Sequence, residues 1–181
     1  MSEFSLVPLR AEHDPSGFAC GNSELDRWLI DHALASQKAD LARTYLVMDT
    51  ESVAAYVSLT TGSIRPDAAP KRYARGMPRY PIPTILIARL AVDQRYQRHG
   101  LGSRLLAEAL RLAVAASDTA AARLVVVDAI DDQAVAFYRR WGFIDVPENP
   151  HRLFRKISDI RNSLQSARHG GEERLLRKAG R

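Results

Sequence analysis

Apolar positions along this chain switch between two periods, one matching strands and the other matching helices. Leu6 to Leu9 is a short apolar segment before a loop and predicts a strand. From Asn22 to Ser36 the apolar positions Leu25, Trp28, Leu29 and Leu34 keep helical spacing. Asn22 or Ser23 suits the N-cap of that helix, because a short polar side chain there accepts from the exposed first-turn amides. Arg43 to Met48 and Val53 to Thr60 are rich in β-branched and aromatic residues and flank Asp49 to Ser52, which predicts an antiparallel hairpin. Ser63 to Pro83 carries prolines at 66, 70, 78, 81 and 83 and predicts a loop, of a length that usually covers a site or binds a partner. Thr84 to Val92 is a near-continuous apolar run broken by Arg89 and predicts a strand buried on both faces. A helix from Leu101 to about Ala116 follows, then a strand at Arg123 to Ala129. A short helix from Gln133 to Arg140 closes at Trp141 and Gly142, where glycine takes the left-handed conformation. Leu153 to Ile157 is the last strand, and the remainder is a polar helix or a disordered tail. Strands and helices alternate through the second half, so the fold class is α/β.

A length of 181 residues favours one domain, expected over 1–165, with a basic tail at 166–181. The single cysteine, Cys20, has no disulfide partner and no companions for a structural zinc site, so no metal is expected and Cys20 reads as a small buried hydrophobe. No apolar run approaches the roughly 20 residues that cross a bilayer, and Met1 to Arg10 lacks the features of a signal peptide. The expectation is a cytoplasmic protein with no membrane partner. Charge changes this picture more than composition does, since the formal net charge of +5 is clustered. Lys71, Arg72, Arg75, Arg79, Arg89, Arg95, Arg98 and Arg104 face one acid, Asp93, between 71 and 104. A second cluster runs from Arg152 to Arg181. Such clusters suit a polyanion, whether nucleic acid or cofactor phosphates, although a solvated basic face would show the same pattern.

The chemistry is concentrated from Leu90 to Leu106, where a buried strand meets a helix across a basic turn with two glycines. Amides from Gln97 to Gly102 would point at an anion at the positive end of the helix. Gly100 and Gly102 would let a phosphate approach the main chain, and Arg95 and Arg98 would add charge.

Gln97-Arg98-His99-Gly100-Leu101-Gly102 resembles the Q/R-x-x-G-x-G/A loop of GNAT acetyltransferases. Asp132 to Phe143, with alanine, then Phe137-Tyr138, then Gly142-Phe143, is similar to that family's downstream segment. The resemblance implies the GNAT acyl-CoA N-acyltransferase fold with splayed central strands, and acetyl-CoA as cosubstrate. It implies that the pyrophosphate sits on Gln97, Arg98, His99, Gly100, Leu101 and Gly102, and that the pantetheine arm pairs with Leu90, Ala91 and Val92. Asp132 and Phe137 fall on the cofactor side, and Tyr138 matches the tyrosine that protonates or positions the departing sulfur. Where many members carry an asparagine against the pantetheine arm, this chain carries Asp131 and Asp132.

A second resemblance covers about Phe4 to Leu164. Phe18-Ala-Cys20-Gly-Asn-Ser-Glu-Leu-Asp-Arg-Trp28-Leu29, then Arg43-Thr-Tyr45, is similar to the opening of the GNAT toxins of bacterial toxin–antitoxin modules, the TacT-like group. Tyr56 to Ser63 and Pro81 to Val92 look like the same group's middle segments. The group implies acetylation of the α-amino group of aminoacyl-tRNA, with arrest of translation. Arg72, Arg75, Arg79 and Arg89 are the candidate tRNA contacts. It also implies a ribbon-helix-helix antitoxin, operator DNA bound only through the antitoxin complex, and a homodimer. An ordinary GNAT enzyme acting on a small-molecule amine or a protein N-terminus is the alternative.

Overall fold

The computed structural model describes residues 5–167, so Arg168, Arg174, Arg177, Lys178 and Arg181 of the second basic cluster lie outside the described residues. The fold is α/β, as the alternation of patterns predicts. The chain forms two compact units, the first comprising the chain up to Gly62 together with Ile85–Ala109, the second Ser63–Thr84 together with the chain from Leu110 on.

In the first unit, β1 (Leu6–Pro8) pairs antiparallel with β2 (Arg43–Asp49), and β2 pairs antiparallel with β3 (Ser52–Ile64). The predicted hairpin is present, and its register places Thr44 opposite Ser58, whose buried hydroxyls hydrogen-bond at 3.1 Å. β4 (Ile82–Val92) lies beside β3. Its burial departs from expectation, since Leu86, Ala88, Arg89, Leu90 and Val92 are only half-buried. A proline and an arginine contribute: Pro83 donates no ladder hydrogen bond and is exposed, and a guanidinium resists full burial.

The amphipathic stretch after Asn22 is helical, and Asn22 is the cap, its side chain accepting from the amides of Glu24 and Leu25. The helix is not uniform. α1 (Ser23–Arg27) widens into a π turn at Trp28–His32, where the Ala33 amide donates to the Trp28 carbonyl, and then resumes as α2 (Ala33–Lys38). Leu29 and Ala33 face a core with Leu9, Phe18, Leu46, Val53, Tyr56 and Ala91. Cys20 is half-buried against that core, and burial pushes its thiol up to about 11, which suits a packing role.

The second unit corrects the reading of 63–83 as a plain loop. It contains a 3-10 turn at Pro66–Ala68 and α3 (Lys71–Ala74), and β4 already begins at Ile82. Proline punctuates these elements: Pro66 occupies the first turn, where its missing amide costs nothing, and Pro70 stands at the N-cap of α3. Tyr73 buries its ring, and its carbonyl accepts from the Arg123 guanidinium at 3.2 Å. β5 (Leu124–Asp128) pairs antiparallel with β7 (Asn149–Lys156), and β7 with β6 (Ile144–Val146), a strand the pattern does not reveal. α5 (Asp132–Arg140) ends as expected at Gly142, whose φ is +78° and whose amide donates to the Arg139 carbonyl. A last helix, α6, covers 157–167, so the strand before it stops one residue short of Ile157. α4 (Leu101–Thr119) begins in the first unit and continues into the second.

Candidate active site

The turn between β4 and α4 is built on one buried carboxylate. Asp93 is 1% exposed and caps a 3-10 turn at Gln94–Tyr96. Its oxygens accept from the Ala19 amide at 3.0 Å, the Arg95 amide at 2.9 Å, and the Arg95 guanidinium at 2.9 and 3.1 Å. Burial opposes ionisation, but donation from Arg95 and from the two amides outweighs it and holds the carboxyl below its ordinary value. Arg95, expected to lend charge to a ligand, is therefore committed to Asp93. Two further ties hold the turn. The Gln97 amide side chain donates to the carbonyls of Cys20 at 2.8 Å and Val92 at 2.9 Å, and the Tyr96 hydroxyl donates to Asp49 at 2.8 Å.

Asp93→Ala should therefore damage stability as well as the turn. Orphaning two amides and a guanidinium costs about 2–4 kcal/mol, a drop in Tm of about 5–15 °C at this chain length. A carboxyl with a depressed pKa stabilises above its unfolded value near 3.9 and loses that contribution as pH falls through the folded value. The gap in Tm between wild type and variant should be full at pH 7 and shrink below about pH 4, measured by thermal melts across that range.

Above this base the backbone turns left-handed twice, at Arg98 (φ +65°) and Gly100 (φ +76°). Glycine takes this conformation freely, whereas arginine is strained there, and such strain persists where surrounding structure enforces it, commonly at binding sites. α4 follows at once, and the first-turn amides of a helix have no partners within it. A side chain at Gly102 would meet only Val92 Cγ2, at 3.7 Å, so packing does not demand glycine there. The open slot suits a ligand that must touch main chain. Arg95, Tyr96, His99, Leu101 and Arg104 line an adjacent cavity of about 270 Å³. A concave main-chain turn at a helix N-terminus with cationic flanks fits a diphosphate.

The first unit thus brings together Leu90, Ala91, Val92 and Gln97 to Gly102. It also holds Arg89, whose guanidinium carbon lies 4.1 Å from the centroid of the Trp28 ring. In the second unit, Tyr138 sits on α5 at 8% exposure, edge-on to Phe137 (5.2 Å) and Phe143 (5.6 Å). Burial alone pushes its phenol up to about 12. No described residue hydrogen-bonds its hydroxyl. Asp131 is the N-cap of α5, accepting from the Ala134 amide at 2.7 Å, and Asp132 is exposed and paired with His151 at 2.9 Å. Arg72 donates to the Tyr73 hydroxyl at 2.9 Å, while Arg75 and Arg79 are both exposed. Among the described residues no cluster of His, Cys, Asp and Glu has metal-site geometry. No helix among them is long and apolar enough to cross a membrane.

A strand-to-helix turn with room for an anion, followed further along the chain by a buried tyrosine on a short helix, is a combination that suits an acyl-group transferase. The Acetyltransferase (GNAT) family matches residues 9–143, and the chain belongs to that family, with acetyl-CoA as cosubstrate. It is similar to the tRNA-acetylating toxin of Mycobacterium tuberculosis (strain ATCC 25618 / H37Rv), 36% identical over 148 residues, or 82% of this chain and 89% of the relative. Among solved structures it is similar to a tyrosine-to-phenylalanine mutant of KacT, with a TM-score of 0.83, 27% identity, and 89% and 99% of the two chains covered. It is also similar to AtaT complexed with acetyl-methionyl-tRNAfMet, with a TM-score of 0.82, 27% identity, and 90% and 99% covered. Further likenesses, at 25% and 26% identity, are to AtaT bound to the C-terminus of the antitoxin AtaR and acetyl-CoA, and to the AtaT–AtaR complex bound to DNA.

Proposed function

We propose that this chain is the toxin of a toxin–antitoxin module and acetylates the α-amino group of aminoacyl-tRNA, which blocks the amine needed for peptide-bond formation. The observation that carries this reading is the likeness, over 90% of the chain, to AtaT complexed with acetyl-methionyl-tRNAfMet. The 36% identity to a tRNA-acetylating toxin supports it.

Acetyl-CoA, when bound, supplies an electrophilic acetyl thioester. The amides of Gln97 to Gly102 hold its diphosphate, with Arg98 adding charge, and the main chain of Leu90, Ala91 and Val92 orients the arm. A main-chain amide of that strand can stabilise charge developing on the acyl oxygen. Phe137 flanks the cofactor side. Asp132 belongs there on resemblance alone, since its carboxylate is turned to His151. Tyr138 holds a proton at its phenol oxygen for the departing sulfur, and its raised pKa keeps that proton in place across the physiological range. A strong base is unnecessary, because a free α-amine has a pKa of about 7.7–8.0 and is partly neutral already.

Arg72, Arg75, Arg79 and Arg89 take tRNA phosphates. The catalytic domain runs over 1–165 and acts in the cytoplasm as a homodimer. A ribbon-helix-helix antitoxin covers the basic face and carries the complex to operator DNA, the arrangement that the AtaT–AtaR complex bound to DNA supports.

With labelled acetyl-CoA, the purified chain should label charged tRNA and leave uncharged tRNA unlabelled. Replacing Arg72, Arg75 and Arg79 together by glutamine should raise KM for tRNA and lower the slope of log KM against log salt by about 2–3, roughly one for each phosphate that the three arginines no longer neutralise. Label confined to free amines or protein N-termini, with salt and the triple variant having little effect, would instead establish the alternative GNAT activity.

A further inference from the structure

β4 is apolar except for Thr84 and Arg89, and Arg89 is half-buried next to the strand residues Leu90 to Val92. No described carboxylate forms an ion pair with it, whereas Arg95, Arg139, Arg152 and Arg161 each have an acidic partner. What holds Arg89 is a ring. Its guanidinium carbon is 4.1 Å from the Trp28 centroid, and Trp28 stacks on Tyr56 with centroids 6.1 Å apart and planes at 16°. Tyr56 is fully buried, abuts Phe18 edge-on at 5.4 Å, and donates from its hydroxyl to the Leu25 carbonyl at 2.9 Å. The residue carrying the indole opens the π turn, a rare widening that concentrates at functional sites.

A cation held on an aromatic face without a carboxylate keeps its charge and its N–H edges for an incoming anion. The α-carboxyl of an aminoacyl-tRNA is esterified, so the anions that this substrate offers are its phosphates. One residue along a strand is about 3.3 Å, so Arg89 is the immediate neighbour on β4 of the main chain assigned to the cofactor.

We propose that Trp28 is a positioning residue. Fixed by Tyr56 and by the widened turn, its indole aims the Arg89 guanidinium at a phosphate in the single-stranded 3′ end of the aminoacyl-tRNA. This rests on the tRNA reading above. Trp28 touches no reacting atom, and its effect passes entirely through Arg89.

The test is steady-state acetylation of charged tRNA by wild type, Trp28→Phe, Trp28→Met, Arg89→Gln and the Trp28→Met/Arg89→Gln double variant, with a melt of each. Methionine fills space without offering a π face. Arg89→Gln should raise KM for tRNA about tenfold and reduce the salt slope by about 0.7, the value for one contact to a single strand. Trp28→Met should raise KM for tRNA about three- to tenfold and reduce the slope equally, with kcat and KM for acetyl-CoA within about twofold of wild type. Trp28→Phe should restore most of the affinity. The double variant should be no worse than Arg89→Gln, because two residues acting through one contact do not add. Wild-type KM and slope in Trp28→Met, or losses that multiply in the double variant, overturn the proposal while leaving the tRNA reading intact. If Trp28→Met melts below the assay temperature, Trp28→Leu, which also lacks a π face, measured once with Arg89 intact and once combined with Arg89→Gln, supplies the same coupling. A wild-type chain that labels no charged tRNA removes the substrate reading and the phosphate on Arg89 with it.

Discussion

Tyr138→Phe is expected to lower kcat by a factor on the order of 10²–10⁴, the range for losing a positioned general acid, while leaving the fold in place. The substitution removes one oxygen, which no described residue hydrogen-bonds, and keeps the ring whose edges meet Phe137 and Phe143. KM for both substrates and Tm should therefore change little, and expression of the variant should no longer arrest growth. The pH profile supplies the sign. Burial favours the neutral phenol, so its pKa near 12 keeps the acid protonated at every pH used for assay. The wild-type rate should rise as the substrate amine loses its proton near 7.7–8.0 and then stay level to roughly pH 9.5, with no alkaline fall from Tyr138. A variant with unchanged kcat, or an alkaline limb in the upper assay range that is the same in wild type and variant, would place the departing proton on another group.

Elements with long, regular patterns are legible in the sequence, and those decided by a single side chain are not. The hairpin of β2 and β3 and helix α5 with its glycine stop each follow from periodicity plus one punctuating residue. β6 is three residues long, Ile144–Val146, too short for a period to show. The π turn is invisible because Leu25, Trp28 and Leu29 satisfy ordinary helical spacing, and the widening shows only in how the backbone runs over Tyr56.

The same division holds in the site. Two glycines after an apolar strand point to a turn suited to an anion, and the structure has a turn there that is left-handed at Arg98 and Gly100. Its foundation escapes the pattern: Asp93 reads only as the lone acid in a basic stretch, and Arg95 as charge for a ligand. An aspartate directly before the Gln94–Tyr96 turn is, however, a capping signal that the sequence does carry. Gln97 shows the limit more plainly. Its place in the motif is visible, but its side chain's two bonds, to Cys20 and Val92, join segments 77 and 5 residues apart, and the first of these no local rule supplies.

Gly102→Glu should separate binding from folding more sharply than any other change in the turn. No positive φ constrains Gly102, and a Cβ there meets only Val92 at an ordinary contact distance, so the backbone accepts a side chain. Glutamate is a good helix former, and a carboxylate in the first turn of α4 interacts favourably with the helix dipole by about 0.3–1 kcal/mol. Tm should be unchanged or raised by a few degrees. The diphosphate faces the opposite balance: the side chain fills the slot by which it reaches the main chain, and two like charges about 4 Å apart repel by about 1–4 kcal/mol between bulk water and a protein surface. Together these should raise Kd for acetyl-CoA at least about 100-fold, read by calorimetry, with KM for acetyl-CoA rising in parallel while charged tRNA still binds. Gly102→Ala, which adds the Cβ without the charge, should fall between the two. An acetyl-CoA affinity in Gly102→Glu equal to wild type would mean that the diphosphate does not sit on this turn, and the assignment of Gln97 to Gly102 would go with it.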